Sequence, residues 1–65
     1  MPEQIRRAVR LDEVTRLTAL SKSSIRRLRK EGSFPRPFRL SERAIAWDEA
    51  EVLGWLAARK AASGR

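Results

Sequence analysis

The tetrapeptide Phe34-Pro35-Arg36-Pro37 constrains this chain more than any other feature. Both prolines lack a backbone donor, and each pushes the residue before it, Phe34 or Arg36, into extended geometry. No helix passes through such a segment. Helices are therefore confined to the two sides of it, and a strand is expected directly after Pro37.

On the N-terminal side, Leu11, Val14 and Leu17 recur every third residue, predicting a short helix that begins at Asp12 and ends near Thr18. Thr18, Ala19 and Leu20 then form a tight connection. Ser21 is placed as the N-cap of a second helix, with Ile25 and Leu28 pointing inward and Gly32 where a left-handed C-terminal cap is wanted. Ahead of these helices, Arg7 to Leu11 alternates charge with Ala8, Val9 and Leu11, and reads equally as a short strand or as disordered chain.

On the C-terminal side, Phe38-Arg39-Leu40 and Ala44-Ile45-Ala46-Trp47 flank Ser41-Glu42-Arg43, the pattern of a hairpin. Alternation assigns Phe38, Leu40, Ile45 and Trp47 to its buried side. Asp48 followed three residues later by Glu51 matches a helix-starting box with Asp as the cap. The third helix is expected to run to about Ala61 with Val52, Trp55 and Leu56 on one face. Residues 1–9 are read as a partly disordered tail, 10–60 as the folded domain, and 61–65 as a frayed end. No internal repeat or linker interrupts the domain.

A chain of 65 residues makes at most one domain, and such a domain buries only about 60% of the surface its unfolded chain exposes. It contains no Cys and no His, so disulfides, thiolate chemistry, imidazole bases and the usual zinc ligands are excluded together. The one acidic cluster, Asp48, Glu49 and Glu51, is explained by capping and by the favourable field at a helix N-terminus. Catalysis has little to work with, and the expectation is a non-enzyme with no cofactor or metal. No apolar stretch approaches the roughly 20 residues of a membrane span, nor is there the apolar run of a signal peptide. A cytoplasmic protein is expected.

Charge narrows the partner. Lys and Arg number 15 against 8 Asp and Glu, and from Ser21 to Arg43 eight basic residues face two acidic ones, carrying six of the seven net positive charges. Opposite Ile25 and Leu28, the second helix presents Ser23, Arg26, Arg27 and Lys30. Two short helices joined by a tight turn, the second Ser-capped and cationic, are what a helix-turn-helix requires, with the outer face free for a major groove. Arg and Lys there reach guanine O6 and N7 or phosphates, and Ser23 donates to either. A merely solvated charged face is the ordinary alternative, but carboxylates at i−4 or i+4 are too few to compensate the repulsion. Trp47, Trp55, Phe34 and Phe38 fall in phase with apolar neighbours, so they are assigned to the core rather than to base stacking.

Arg10-Leu11-Asp12-Glu13-Val14, Leu20-Ser21-Lys22-Ser23-Ser24-Ile25, Glu31-Gly32-Ser33-Phe34-Pro35-Arg36-Pro37 and Trp47-Asp48-Glu49-Ala50-Glu51-Val52-Leu53-Gly54-Trp55-Leu56 follow one another in an order and spacing that resembles the AlpA family of small phage and prophage regulators. The resemblance covers about Arg10 to Arg59. It implies a fold related to the MerR and excisionase group: α+β, mostly helical, a winged helix-turn-helix of three short helices and a two-stranded β-hairpin wing. It places the recognition helix at Ser21 to Glu31 and the wing at Phe38 to Trp47. The implied activity is sequence-specific binding of double-stranded DNA in transcription control, with excision as a recombination directionality factor the alternative. A basic adaptor docking on an acidic protein is a third reading, disfavoured by the lack of exposed apolar anchors on the helix.

Residues and resemblance together assign Ser21, Lys22, Ser23, Ser24, Arg26, Arg27 and Lys30 on the helix, and Arg36, Arg39 and Arg43 beyond it, as DNA contacts. The implied partners are duplex DNA, self-association on that DNA, and an integrase or RNA polymerase; no membrane is involved. Two departures stand out: Arg26 occupies a position where the family often has Tyr, and the wing tip is Ser41-Glu42 where a Gly-rich tip is common.

Overall fold

The computed structural model describes residues 7–64. Expectations for Met1 to Gln4 and for Arg65 lie outside these residues. The elements are β1 (Ala8–Val9), α1 (Leu11–Thr18), α2 (Lys22–Lys30), β2 (Phe38–Ser41), β3 (Ala44–Asp48) and α3 (Glu49–Ser63).

Local chemistry sets most boundaries. Helix α1 starts one residue earlier than the periodicity suggests, after an extended Arg10 that offers no side-chain cap, and ends where Ala19 takes a left-handed conformation at φ 62°. Thr18 seals that turn: its hydroxyl donates to the Val14 carbonyl at 2.8 Å and accepts the Leu20 N–H at 3.2 Å. The Ser21 hydroxyl then accepts the Ser24 N–H and caps α2 as expected. Helix α2 ends in a Schellman arrangement, with Gly32 at φ 78°, its N–H donating to the Arg29 carbonyl and the Ser33 N–H donating to the Leu28 carbonyl at 2.8 Å. Helix α3 begins at the Asp48 cap, which accepts the Ala50 N–H at 3.0 Å rather than that of Glu51. It continues past the expected end at Ala61 to Ser63.

The expected hairpin is present, and a third strand joins it. Strand β1 pairs antiparallel with β3 (Ala8 opposite Asp48, Val9 opposite Trp47), giving a sheet in the order β1-β3-β2. The segment that read equally as strand or disordered chain is therefore extended at Ala8–Val9. Val9 is buried and belongs to the core, and burial together with pairing to β3 decides between the two readings.

The assignment of Leu40 to the buried side is corrected. In the β2–β3 pair Arg39 opposes Ile45 and Ser41 opposes Ala44, which leaves Leu40 as the extra residue of a bulge. A bulge breaks the inward–outward alternation on which that assignment relied, and Leu40 is 50% exposed. Phe38 and Ile45 are half-buried, Trp47 is fully buried, and Ala46 on the central strand is buried as well.

The core is Val9, Val14, Ile25, Leu28, Phe34, Trp47 and Val52, with Trp55 packed against it. Phe34 meets Trp47 and Trp55 edge-on, at centroid distances of 6.5 and 4.7 Å. The proline-containing segment has no regular partner for its carbonyls, and the two indoles supply them. Trp47 Nε1 donates to the Pro35 carbonyl at 3.0 Å and Trp55 Nε1 to the Ser33 carbonyl at 2.7 Å. These bonds hold the exit of α2 against both the wing and α3.

Candidate nucleic-acid interface

Helices α1 and α2 are joined by Ala19, Leu20 and the Ser21 cap, and α1 packs against both α2 and α3. The outer face of α2 is left uncovered. Ser23, Arg26, Arg27 and Lys30 are all exposed, while Ile25 and Leu28 are buried on the opposite side. With its side chains an α-helix is about 10–12 Å across, comparable with the roughly 12 Å width of a B-DNA major groove.

The other expected contacts differ in how free they are. Ser21 and Ser24 are tied to each other, since the Ser21 hydroxyl accepts the Ser24 N–H and donates to the Ser24 hydroxyl at 3.1 Å. Lys22 is exposed but paired with Asp12 of α1 at 3.2 Å, and Arg27 reaches Glu31 one turn on at 3.6 Å. Both are surface pairs, each worth less than about 1 kcal/mol, so an incoming phosphate exchanges for the carboxylate at little cost. Arg26 and Lys30 make no ion pair among the described residues.

On the wing, Glu42 and Arg43 form the two-residue turn. Arg39 donates to the Glu42 carbonyl at 2.8 Å, bracing the tip from the strand side. Arg43 is exposed at the tip, and Arg36 is exposed on the segment leading into the wing. The structure brings Arg43 of the wing to one concavity with Arg26 of α2, and Arg36 to another with Lys30.

Sequence reasoning left out two arginines, Arg29 and Arg10, that the fold brings to the first of these concavities. Arg29 lies on the flank of α2 nearest the wing, its guanidinium 5.7 Å from the centroid of the Trp47 ring. Arg10, just ahead of α1, lines the same groove as Arg26, Arg29 and Arg43, over a floor that includes Ile45 and Trp47. The helical phase of Arg29, between the buried and outer faces, was the available signal. Nothing local pointed to Arg10.

Among the described residues no cluster of His, Cys, Asp or Glu is placed to hold a metal ion, and no helix is long and apolar enough to cross a membrane. The acidic residues at the start of α3 have local roles: Asp48 caps the helix, and Glu49 forms an ion pair with Arg7.

Residues 7–60 match the family model described as Prophage CP4-57 regulatory protein (AlpA). The chain belongs to the AlpA family. This AlpA family member is also 39% identical, over 59 residues, to a protein of Enterobacteria phage P4 designated Uncharacterized protein ORF88. That match covers 91% of the chain and 67% of the phage protein. The AlpA family is one of phage regulatory proteins, which supports a regulatory, DNA-binding role in general terms.

Proposed function

We propose that this AlpA family member is a sequence-specific double-stranded DNA-binding transcriptional regulator that places the helix 21–31 in the major groove and the wing 38–47 along the adjacent backbone or minor groove. The observation that carries this reading is the outer face of α2. It is a rigid, doubly capped helix of nine residues, exposed along its length, bearing cations that its own carboxylates do not balance. Such a face suits an anionic groove of matching width.

Within this reading Ser23, Arg26, Arg27 and Lys30 face base edges. Ser21, Lys22 and Ser24 at the start of α2 lie nearest the backbone, and Arg36, Arg39 and Arg43 hold register on phosphates without reading sequence. Lys22 exchanges Asp12 for a phosphate, and Arg39 also braces the tip through its bond to the Glu42 carbonyl.

Selection of binding sites from random duplex DNA tests the proposal, followed by affinity measurements on the selected and a scrambled duplex at one fixed salt concentration. Arg27→Ala is expected to cost about 1–3 kcal/mol on the preferred site and to narrow its lead over scrambled DNA. Arg43→Ala is expected to weaken both duplexes alike. If Arg27→Ala lowers both equally while Arg43→Ala alone relaxes specificity, the roles of helix and wing are reversed. Recovery of arrayed sites beside an attachment sequence, instead of a single operator near a promoter, assigns the chain to recombination.

A further inference from the structure

Arg10, Arg26, Arg29 and Arg43 line one groove between α2 and the wing, about 240 Å³ in volume, with no carboxylate among its lining residues. None of the four makes an ion pair among the described residues, whereas the cations that are paired, Arg7, Arg16, Lys22 and Arg27, lie outside the groove. Four guanidiniums from three separate parts of the chain, left uncompensated around one concavity, form an anion site whose anion is missing from the protein itself. Arg29 is further held by stacking over Trp47, a fully buried ring fixed by its own hydrogen bond to Pro35. A guanidinium held in this way is pre-organised, losing less freedom on binding than a free surface side chain.

We infer that this groove is the seat of a sugar–phosphate backbone strand, with Arg10 and Arg29 as phosphate-binding residues alongside Arg43. The inference rests on the duplex-binding reading and deepens it. The groove runs beside the outward face of α2, so a helix lying in a major groove brings one bordering strand to it. Ile45, half-buried on the floor, suits the apolar face of a sugar, and the arginines suit the phosphate oxygens, which guanidinium groups bind in bidentate fashion. The groove therefore supplies affinity and register, leaving discrimination to Ser23, Arg27 and Lys30. Arg26 stands at the boundary of the two surfaces.

The test uses the full chain and its Arg10→Ala, Arg29→Ala and Arg29→Lys variants, each checked for folding by thermal unfolding. Affinity is measured on the selected and a scrambled duplex over a range of salt. Arg10→Ala and Arg29→Ala are expected to weaken both duplexes by the same factor, about tenfold. Each should also make the slope of log K against log salt shallower by about 1, the mark of one lost phosphate contact. Arg29→Lys, which keeps the charge, is expected to keep the slope. Arg10→Ala is the variant that keeps the test decisive, because it leaves the Trp47 stack untouched. Folded variants that bind with unchanged slope would overturn the inference while leaving the proposed function standing, as would a loss confined to the selected duplex, which would make these arginines base readers. Failure of the unmodified chain to bind any duplex, or binding only to anionic lipid vesicles, would instead remove the proposed function and the groove's assignment with it.

Discussion

Among the described residues two sit in the left-handed region, Gly32 at φ 78° and Ala19 at φ 62°, and only one of them is a glycine. The pair makes a matched experiment on the two turns that orient α2. At Gly32 an added Cβ meets nothing within 4 Å, so Gly32→Ala has no steric cost and its effect is conformational alone. A left-handed L-residue costs about 1–2 kcal/mol, partly offset by about 0.4–1 kcal/mol from a less flexible unfolded chain. A net loss of about 1 kcal/mol is expected. Ala19→Gly runs the same sum backwards and is expected to stabilise by somewhat under 1 kcal/mol. For a domain this small, whose whole stability is of order 3–10 kcal/mol, 1 kcal/mol moves Tm by about 4–8 °C. Urea and thermal unfolding followed by tryptophan fluorescence read both shifts, since Trp47 and Trp55 lie in or against the core. A synthetic chain with D-alanine at position 32, for which positive φ is favourable, completes the set and is expected to be more stable than the glycine form. Equal destabilisation by both alanine enantiomers would refute the conformational account and point to a close contact at Gly32.

Three further outcomes are expected. Trp55→Ala should cost about 3 kcal/mol, at the low end for a truncated aromatic because the ring is only half-buried; a variant of near-normal urea stability that has lost DNA binding would make Trp55 a contact instead. Thr18→Val, which keeps the shape but leaves the Leu20 N–H without its acceptor, should lower stability by about 1 kcal/mol in the same assay. Binding to duplex DNA should weaken steeply with salt, with a slope near −5 if five or six phosphates are neutralised, and a salt-independent affinity would remove the electrostatic basis of the proposal.

Legibility in the sequence tracked the reach of each interaction. Ser21 and Asp48 as caps, Gly32 as the left-handed stop and the proline break after Phe34 all act within a few residues, so inspection of neighbouring residues found them. The cationic outer face of α2 was equally readable, because helical phase alone puts Ile25 and Leu28 opposite Ser23, Arg26, Arg27 and Lys30. Leu40 was misplaced because a bulge depends on how two strands pair, and alternation along one strand carries no record of it. Helix α1 was readable from its periodicity, yet its start was displaced by one residue because no side chain marks Arg10 as a cap.

The order of elements, their caps and the surplus of charge are thus properties of the chain itself, since each follows from backbone sterics or from side chains one helical turn apart. Tertiary structure decided what faces what. It drew Ala8–Val9 onto β3, gave the indoles of Trp47 and Trp55 the carbonyls of the proline segment as partners, and gathered Arg10, Arg29 and Arg43 around one groove. The physical reason is that these groups lie far apart along the chain and share no local preference. Their meeting is fixed only when burial of Val9, Phe34 and Trp47 in one core leaves the backbone a single way to close.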